Sequence, residues 1–114
     1  MKTRHTVVEH QAPIAFSEFR ITRGVIDAGV DREEALTMLQ WFIFNDWGEV
    51  DRCLAPLSEE CGFDEGMCDW HTNQQALKYG RRLMGVYTTD NDTKCYVICE
   101  ADRSVLTILL PSEY

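Results

Sequence analysis

The chain has 114 residues, of which 45% are hydrophobic and 26% are charged, and its formal net charge is −8 at pH 7. These values are ordinary for one globular domain spanning residues 1–114 and exclude a disordered chain. The excess of acids argues against nucleic acid as a direct partner, because phosphate contacts require Lys and Arg.

The charge is unevenly distributed along the chain. Residues 46–69 contain eight acids and one base, Arg52, whereas residues 1–23 contain four bases and two acids. Such a segment is compatible with a partner protein that has a basic surface, and equally with a solvated acidic face that only keeps the chain soluble. The residues predicted to contact a partner are Asp46, Trp47, Glu49, Asp51, Glu59, Glu60, Asp64 and Glu65.

The cysteines indicate a reducing compartment. Their number is odd and no apolar export signal follows the N-terminal bases Lys2 and Arg4, so we expect free thiols in the cytoplasm. Fully apolar runs are short, as at 41–44 and 95–99, and are far too short to cross a membrane. The five cysteines are Cys53, Cys61, Cys68, Cys95 and Cys99.

The N-terminal quarter is predicted to contain an arm, a strand and a short helix. Residues 1–15 form either a flexible arm or a short edge strand around residues 6–8. Residues 16–21 predict a second short strand, and residues 23–28 predict a helix. That helix is bounded by Thr22 as N-cap and by Gly29 after its last turn.

The clearest helix begins after Asp31, which is its predicted N-cap. Glu33 and Glu34 lie in its first turn, where the helix dipole favours acids, and its body runs over residues 35–45. Gly48 is the predicted terminating residue. The helix is apolar over most of its last turn, which indicates deep packing or a surface for a partner. Its main apolar stripe contains Leu36, Leu39 and Ile43.

Residues 49–68 lack strong periodicity and form an irregular, acidic, cysteine-containing loop, longer than a typical connection. Asp69 is then predicted to cap a helix over residues 70–79, which ends at Gly80. The residues expected to face inward on this helix are Asn73, Ala76 and Leu77.

The last third of the chain predicts a sheet. Three runs rich in β-branched and aromatic residues, 81–89, 94–100 and 104–111, are separated by short polar breaks. The predicted fold is therefore α+β, a three-stranded antiparallel meander packed against two or three helices. The last strand is apolar on both faces, so helices on both sides or a homodimer are expected to cover it.

One set of residues has the composition of a zinc site. Four sulfur and nitrogen ligands suit tetrahedral zinc, and the three-residue spacing of the last two lets both side chains reach one ion. The first two cysteines are eight positions apart and form no close pair, so loop thiols beside a surface histidine are the alternative. The set is Cys53, Cys61, Cys68 and His71.

Catalytic patterns are weaker. Cys68 and His71 could form a nucleophile pair, but no recognised flanking motif accompanies them. Glu100 and Asp102 could bind a cation or act in an enzyme, whereas the plainer interpretation is a turn in which Asp102 bonds its own backbone beside Arg103. Glycine-rich phosphate-binding motifs are missing from the sequence. We therefore expect no enzymatic activity.

Several motifs resemble a small bacterial family carried on plasmids and integrative elements, described as plasmid-related proteins. The resemblance spans about residues 24–114 and is strongest in Cys99-Glu100-Ala101-Asp102-Arg103-Ser104, followed by Leu109-Leu110-Pro111-Ser112-Glu113-Tyr114. Two shorter motifs support it: Asn45-Asp46-Trp47-Gly48, and Asn73-x-x-Ala76-Leu77-x-x-Gly80-x-Arg82.

The chain also departs from that family. Asn45 stands where relatives have Gly, Cys99 where they have Thr, and residues 53–68 resemble an insertion. The candidate zinc ligands in the insertion would therefore be particular to this chain. The resemblance implies a mobile genetic element in a bacterium as the setting, but it implies no mechanism.

These observations predict a protein that acts by binding another protein. In the setting of a mobile element, an inhibitor of a host-defence complex, of the anti-CRISPR or anti-restriction kind, fits an acidic chain without catalytic motifs. A zinc-binding regulatory module is the alternative. A homodimer through Trp41, Phe44 or the last strand remains open.

Overall fold

The computed structural model describes residues 13–50 and 68–114, which form an α+β fold as predicted. Three helices and a four-stranded sheet make up this part of the chain, and a short 3-10 helix follows the last strand. In chain order the elements are β1 (Glu18–Ile21), α1 (Arg23–Asp27), α2 (Arg32–Ile43), α3 (Asp69–Tyr79), β2 (Leu83–Thr88), β3 (Lys94–Cys99), β4 (Val105–Leu109) and the 3-10 helix (Pro111–Glu113).

The sheet corrects the prediction of a three-stranded antiparallel meander. Strands β2, β3 and β4 do pair consecutively and antiparallel, but the strand order is β1-β4-β3-β2 and β1 lies parallel to β4. The sheet is therefore four-stranded and mixed. A parallel pair needs a long crossover connection, so β1 meets β4 only after most of the chain has passed between them, as in the pair Phe19 and Leu106. The predicted strand around residues 6–8 lies outside the described residues.

Two of the three predicted helix N-caps, Thr22 and Asp31, are confirmed. Asp31 and Glu34 form a reciprocal capping box, in which the Glu34 backbone N–H donates to Asp31 Oδ1 at 2.8 Å. Thr22 accepts a hydrogen bond from the Val25 backbone N–H, as expected of an N-cap. Asp69 was predicted to cap α3 but is its first helical residue, and Cys68 holds the capping position without a side-chain cap bond.

The helices cover one face of the sheet, called here the inner face. Val25 of α1, Phe42 of α2 and Ala76 of α3 all belong to the same buried cluster. In α2 the fully buried positions are shifted by one residue from the predicted stripe, since Leu36 is 45% exposed. The inner face of the sheet contributes Phe19, Ile21, Leu83, Tyr87, Cys95, Val97, Cys99, Leu106 and Ile108 to this core.

The opposite face, called here the outer face, is covered by fewer of the described residues. Its side chains lie on alternate positions, where Ile98 pairs with both Met84 and Thr107. The 3-10 helix contacts β3, and Tyr114 packs edge-on against Tyr96 at 5.7 Å between ring centroids. The described helices thus cover one face only, and none of them combines the length and apolar character needed to span a lipid bilayer.

Candidate functional site

Residues 45–47, at the start of the predicted partner-binding region, pack into the interior of the protein. Helix α2 ends at Ile43, and Asn45 adopts the left-handed conformation with a φ of 69°. Asp46 and Trp47 are then only 6% and 2% exposed. The structure therefore corrects the prediction for these two residues, which pack inside the protein and do not form part of an exposed acidic face.

Backbone hydrogen bonds hold this segment against the edge of β2 that faces away from β3. The Val86 N–H donates to the Trp47 carbonyl at 3.0 Å, and the Glu49 N–H donates to the Val86 carbonyl at 2.7 Å. Gly48 lies between these bonds with a φ of +71°, and a Cβ there would come within 2.1 Å of the Val86 carbonyl oxygen. Gly48 was expected to terminate α2, but its actual role is this close approach of two backbones.

Side chains tie the same segment to the core. The Tyr87 hydroxyl donates to the Asp46 carbonyl at 2.5 Å, and the Gly48 N–H donates to Asp46 Oδ1 at 3.1 Å. The Trp47 ring packs edge-on against the Trp70 ring, with 6.4 Å between the ring centroids. Burial, and next the Asp46 carboxylate, raise the pKa of the Tyr87 phenol well above its usual value. Asp46 and Trp47 therefore have structural roles.

The remaining partner-binding candidates divide between exposed and undescribed positions. Glu49 is exposed, and its carboxylate accepts a hydrogen bond from the Thr88 hydroxyl at 2.6 Å. The others lie outside the described residues, so the acidic partner surface stays a prediction for them. They are Asp51, Glu59, Glu60, Asp64 and Glu65.

Cys68 and His71 come together at the start of α3. Cys68 is half-buried, His71 is 4% exposed, and Cys68 Sγ lies 2.9 Å from His71 Nδ1. In a tetrahedral zinc site a sulfur and a nitrogen ligand are roughly 3.5 Å apart, from usual metal–ligand distances of about 2.3 and 2.0 Å. A small side-chain adjustment would therefore open this pair to one ion.

The rest of the predicted zinc set cannot be assembled from the described part of the chain. Cys53 and Cys61 lie outside it, and within 13–50 and 68–114 no three His, Cys, Asp or Glu side chains are grouped to hold a metal. Cys95 and Cys99 are fully buried on the inner face. Burial, and next the Glu34 carboxylate, raise the pKa of the Cys95 thiol to about 11.

Asn73 has a role that sequence patterning did not indicate. Its side-chain amide donates to the Met84 carbonyl at 2.7 Å and accepts from the Met84 N–H at 3.1 Å. Asn73 therefore replaces a neighbouring strand at one position of β2, and the Asn45–Glu49 segment does so at the next pair, Val86. An amide among inward-facing apolar residues was the available clue to this role.

The turn between β3 and β4 is structural. Asp102 Oδ1 accepts from the Ser104 N–H at 2.9 Å, and hydrogen bonds from Ser104 lower the pKa of the Asp102 carboxyl. This confirms the turn interpretation of Asp102. Arg103 donates to the carbonyls of Arg81 at 2.7 Å and Ala76 at 3.3 Å, so it ties this turn to the end of α3.

The last residues join three parts of the fold. Glu113 accepts from the Leu110 N–H at 2.8 Å and from the Thr22 hydroxyl at 2.7 Å, and these bonds lower the pKa of its carboxyl. Tyr114 lies on the outer face, where the Arg82 guanidinium is 5.2 Å from its ring centroid. The side chains of the strongest resemblance motif thus include caps and turn bonds that stabilise the fold.

A comparison with protein families, with curated proteins and with solved structures finds no match to this chain. The resemblance to plasmid-related proteins consequently stays a prediction from the motifs quoted above.

Proposed function

We propose that this protein is an accessory protein of a bacterial mobile genetic element and that it acts in the cytoplasm by binding another protein. Its target would be a host-defence complex, of the CRISPR or restriction type, that carries a basic surface. The protein would compete for that surface without contacting nucleic acid itself and without catalysing a reaction.

The observation that carries this proposal is the charge distribution. Residues 46–69 combine eight acids with one base in a chain whose net charge is −8. Opposite charge accelerates association with a basic surface and disfavours acidic competitors such as nucleic acid. With Asp46 buried, the contact residues are drawn from Glu49, Asp51, Glu59, Glu60, Asp64 and Glu65.

Four polar side chains of the described residues are engaged within the fold. Asp102, Arg103 and Glu113 bond to backbone groups, and Asn73 completes the edge of a strand. A polar group that bonds the fold in this way is poorly placed to act on a substrate as well. The setting in a mobile element rests on the motif resemblance alone.

An affinity capture from bacterial lysate at low and high salt tests the proposal, with mass spectrometry to identify what is bound. We expect a near-stoichiometric defence or nucleic-acid-handling complex at low salt and much less at about 0.5 M salt, where screening is strong. Reversing Glu59 and Glu60 to Lys should reduce capture about tenfold, while reversing Asp27 and Glu33 in the control variant should not. Equal capture at low and high salt, with no reduction in either reversal variant, would contradict the proposal.

A zinc-binding regulatory module is the second candidate, and the Cys68–His71 contact of 2.9 Å favours it. Cys53 and Cys61 would complete the ligand set. Elemental analysis of protein purified without chelators should find about one zinc per chain, falling below about half in Cys68→Ala. Cys99→Ala is the thiol control and should retain zinc, because Cys99 faces the inner core. Wild-type protein with less than half an equivalent of zinc would rule this candidate out.

A further inference from the structure

The outer face of the sheet holds apolar residues that the helix-side core does not include. Val86, Ile98 and Leu109 are at most 9% exposed, yet none of them belongs to the buried cluster of the inner face. In the described part of the chain, their cover comes mainly from the 3-10 helix and Tyr114. A sheet face this apolar usually packs against a further layer.

Among the described residues, one hollow lies at the edge of β2 beside α3 and a second lies over β3 and β4 on the outer face, and they share Arg82 and Tyr114 as walls. The first has a volume of about 180 Å³ and the second about 420 Å³. Together they are called here the outer groove. The first is lined by Val50, Asp69, Thr72, Asn73, Arg82, Met84 and Tyr114. The second is lined by Arg82, Ile98, Glu100, Thr107, Leu109, Glu113 and Tyr114.

The size of the hollows fits side chains better than an enclosed small molecule. Small-molecule pockets usually have about 300–1,000 Å³ and bury most of the ligand. The first hollow is smaller than that, and the second is a broad depression over Ile98, Thr107 and Leu109. One or two apolar side chains of a partner segment would fill the available space.

The charged side chains around the outer groove are mostly acidic. Of the described lining residues, Asp69, Glu100 and Glu113 are acids and Arg82 is a base. Asp69 and Glu100 are exposed, and the Arg82 Nε is 4.0 Å from Glu100 Oε1, at the limit of an ion pair. Arg82 also lies over the Tyr114 ring, so a basic side chain is already seated between an aromatic ring and a carboxylate.

Neighbouring charges do not reverse this balance. Glu113 stays ionised because the Leu110 N–H and the Thr22 hydroxyl donate to it. Arg20, which pairs with Thr107 in the sheet register, is bonded to Glu18 at 2.7 Å. Lys94 is a further exposed base on the outer face, so the acidic excess is confined to the residues that line the groove.

We propose that the outer groove receives a segment of the basic partner protein, which places an apolar side chain in a hollow and a Lys or Arg beside Asp69 or Glu100. This inference rests on the proposed function and adds a second contact surface to it, built on the sheet and the C-terminal residues. The apolar side chain supplies burial, and the neighbouring base supplies orientation.

The test uses a fluorescent Arg-Leu-Arg-Leu-Arg peptide as the probe of the full chain, with binding followed by anisotropy and by backbone amide NMR shifts. We expect saturable binding with shifts centred on Ile98, Thr107 and Leu109. A Glu-Leu-Glu-Leu-Glu peptide and an Arg-Ser-Arg-Ser-Arg peptide should each bind at least about tenfold more weakly, which would show that both charge and apolar burial contribute.

Thr107→Lys places a positive charge in the groove and should weaken binding about tenfold. Gln40→Lys adds the same charge on an exposed position of α2 and should leave binding within about twofold of wild type. Tyr114→Ala is a second groove variant that is safe for folding, because Tyr114 is 66% exposed. It should also weaken binding.

Several results would overturn the inference: no binding of the Arg-Leu peptide, equal binding of the Arg-Ser peptide, or equal effects of Thr107→Lys and Gln40→Lys. Failure of the groove is distinguishable from failure of the proposed function. If lysate capture of a defence complex is unchanged in Thr107→Lys, then the groove is wrong and the proposed function stands. If salt-sensitive capture itself is missing, the proposed function is wrong.

Discussion

Strand β4 passes between two very different environments, and two leucines on it make the comparison direct. Leu106 is on the inner face, fully buried among the helices, whereas Leu109 is on the outer face, 9% exposed and lining the outer groove. Both positions are apolar in the sequence. Among residues 13–50 and 68–114, the inner face packs against three helices, and the outer face meets a three-residue 3-10 helix and one tyrosine.

The difference shows that apolar character alone does not reveal what a residue contributes. Around Leu106 the surrounding side chains come from several elements, so a cavity there cannot collapse easily. Around Leu109 an open hollow already exists, and solvent can enter it when a side chain is removed. We therefore expect the inner face to dominate stability and the outer face to dominate binding.

The largest effect is expected from truncating the inner leucine. Leu106→Ala should lower the free energy of unfolding by about 4 kcal/mol, because it leaves a closed cavity. Leu109→Ala should lower it by about 1.5 kcal/mol, because its site already opens to solvent. Urea unfolding of both variants gives the comparison. Equal losses would mean that the two faces are packed equally well.

The strap at residues 47–50 lies between the core and the outer groove, since Trp47 belongs to the buried cluster and Val50, which packs against that cluster, also lines the groove. Gly48→Ala should cost about 3 kcal/mol, because its Cβ would meet the Val86 carbonyl oxygen and its φ is positive. Gly80→Ala is the matched control. Its φ is also positive, but no atom lies within 4 Å of a new Cβ, so we expect a loss of about 1 kcal/mol.

Thermal unfolding of these two glycine variants measures the difference between them. Similar melting temperatures for Gly48→Ala and Gly80→Ala would contradict the close backbone approach at β2.

Alkaline pH should weaken the inner face through Tyr87. Because the folded state raises the pKa of this phenol, its contribution is complete below about pH 10 and is lost as the pH rises further. Tyr87→Phe removes the titrating group but also loses the hydrogen bond to Asp46, at a cost of about 1 kcal/mol.

The stability advantage of wild type over Tyr87→Phe should therefore shrink between pH 9.5 and 11, by on the order of 1–2 kcal/mol. Urea midpoints of the two proteins across this range provide the measurement. An advantage that stays constant with pH would show that Tyr87 ionises without disturbing the core.

The labelling rates of the cysteine thiols report how often the inner face opens to solvent. Cys95 and Cys99 are fully buried, and burial raises the pKa of both thiols, whereas Cys68 is half-buried at the start of α3. At pH 8 iodoacetamide should modify Cys68 on the order of 100-fold faster than the two inner thiols. Peptide mapping by mass spectrometry measures the rates, and unfolding in urea is the control that should remove the difference. Rapid labelling of Cys95 would indicate that the inner face opens readily.

Local sequence predicted the elements well. The capping box of Asp31 and Glu34, the Thr22 cap and the terminal Gly80 all lie where their chemistry required them. Each of these features depends on residues at most a few positions apart, so the chain itself contains the necessary information. The three C-terminal strands were predicted for the same reason, from residue type and short polar breaks.

The buried face of each helix and the long-range contacts were harder to predict. Helix α2 has apolar residues on two adjacent stripes, so its periodicity did not determine that Phe42 is buried while Leu36 is 45% exposed. Of the candidate site residues, the proximity of Cys68 and His71 followed from their three-residue spacing at the start of α3. The burial of Asp46 did not follow, because it depends on Tyr87, which lies 41 positions away.

By itself, the sequence determined the α+β class, the helix caps, the three antiparallel strands and the acidic balance of this protein. The tertiary structure alone decided the parallel pairing of β1 with β4, the strap against β2, and the unequal cover of the two sheet faces. The physical reason is the range of the interactions involved. Caps and turns join residues that are close in sequence. Edge pairing and layer packing join segments that are far apart in sequence, so they cannot be read from local patterns.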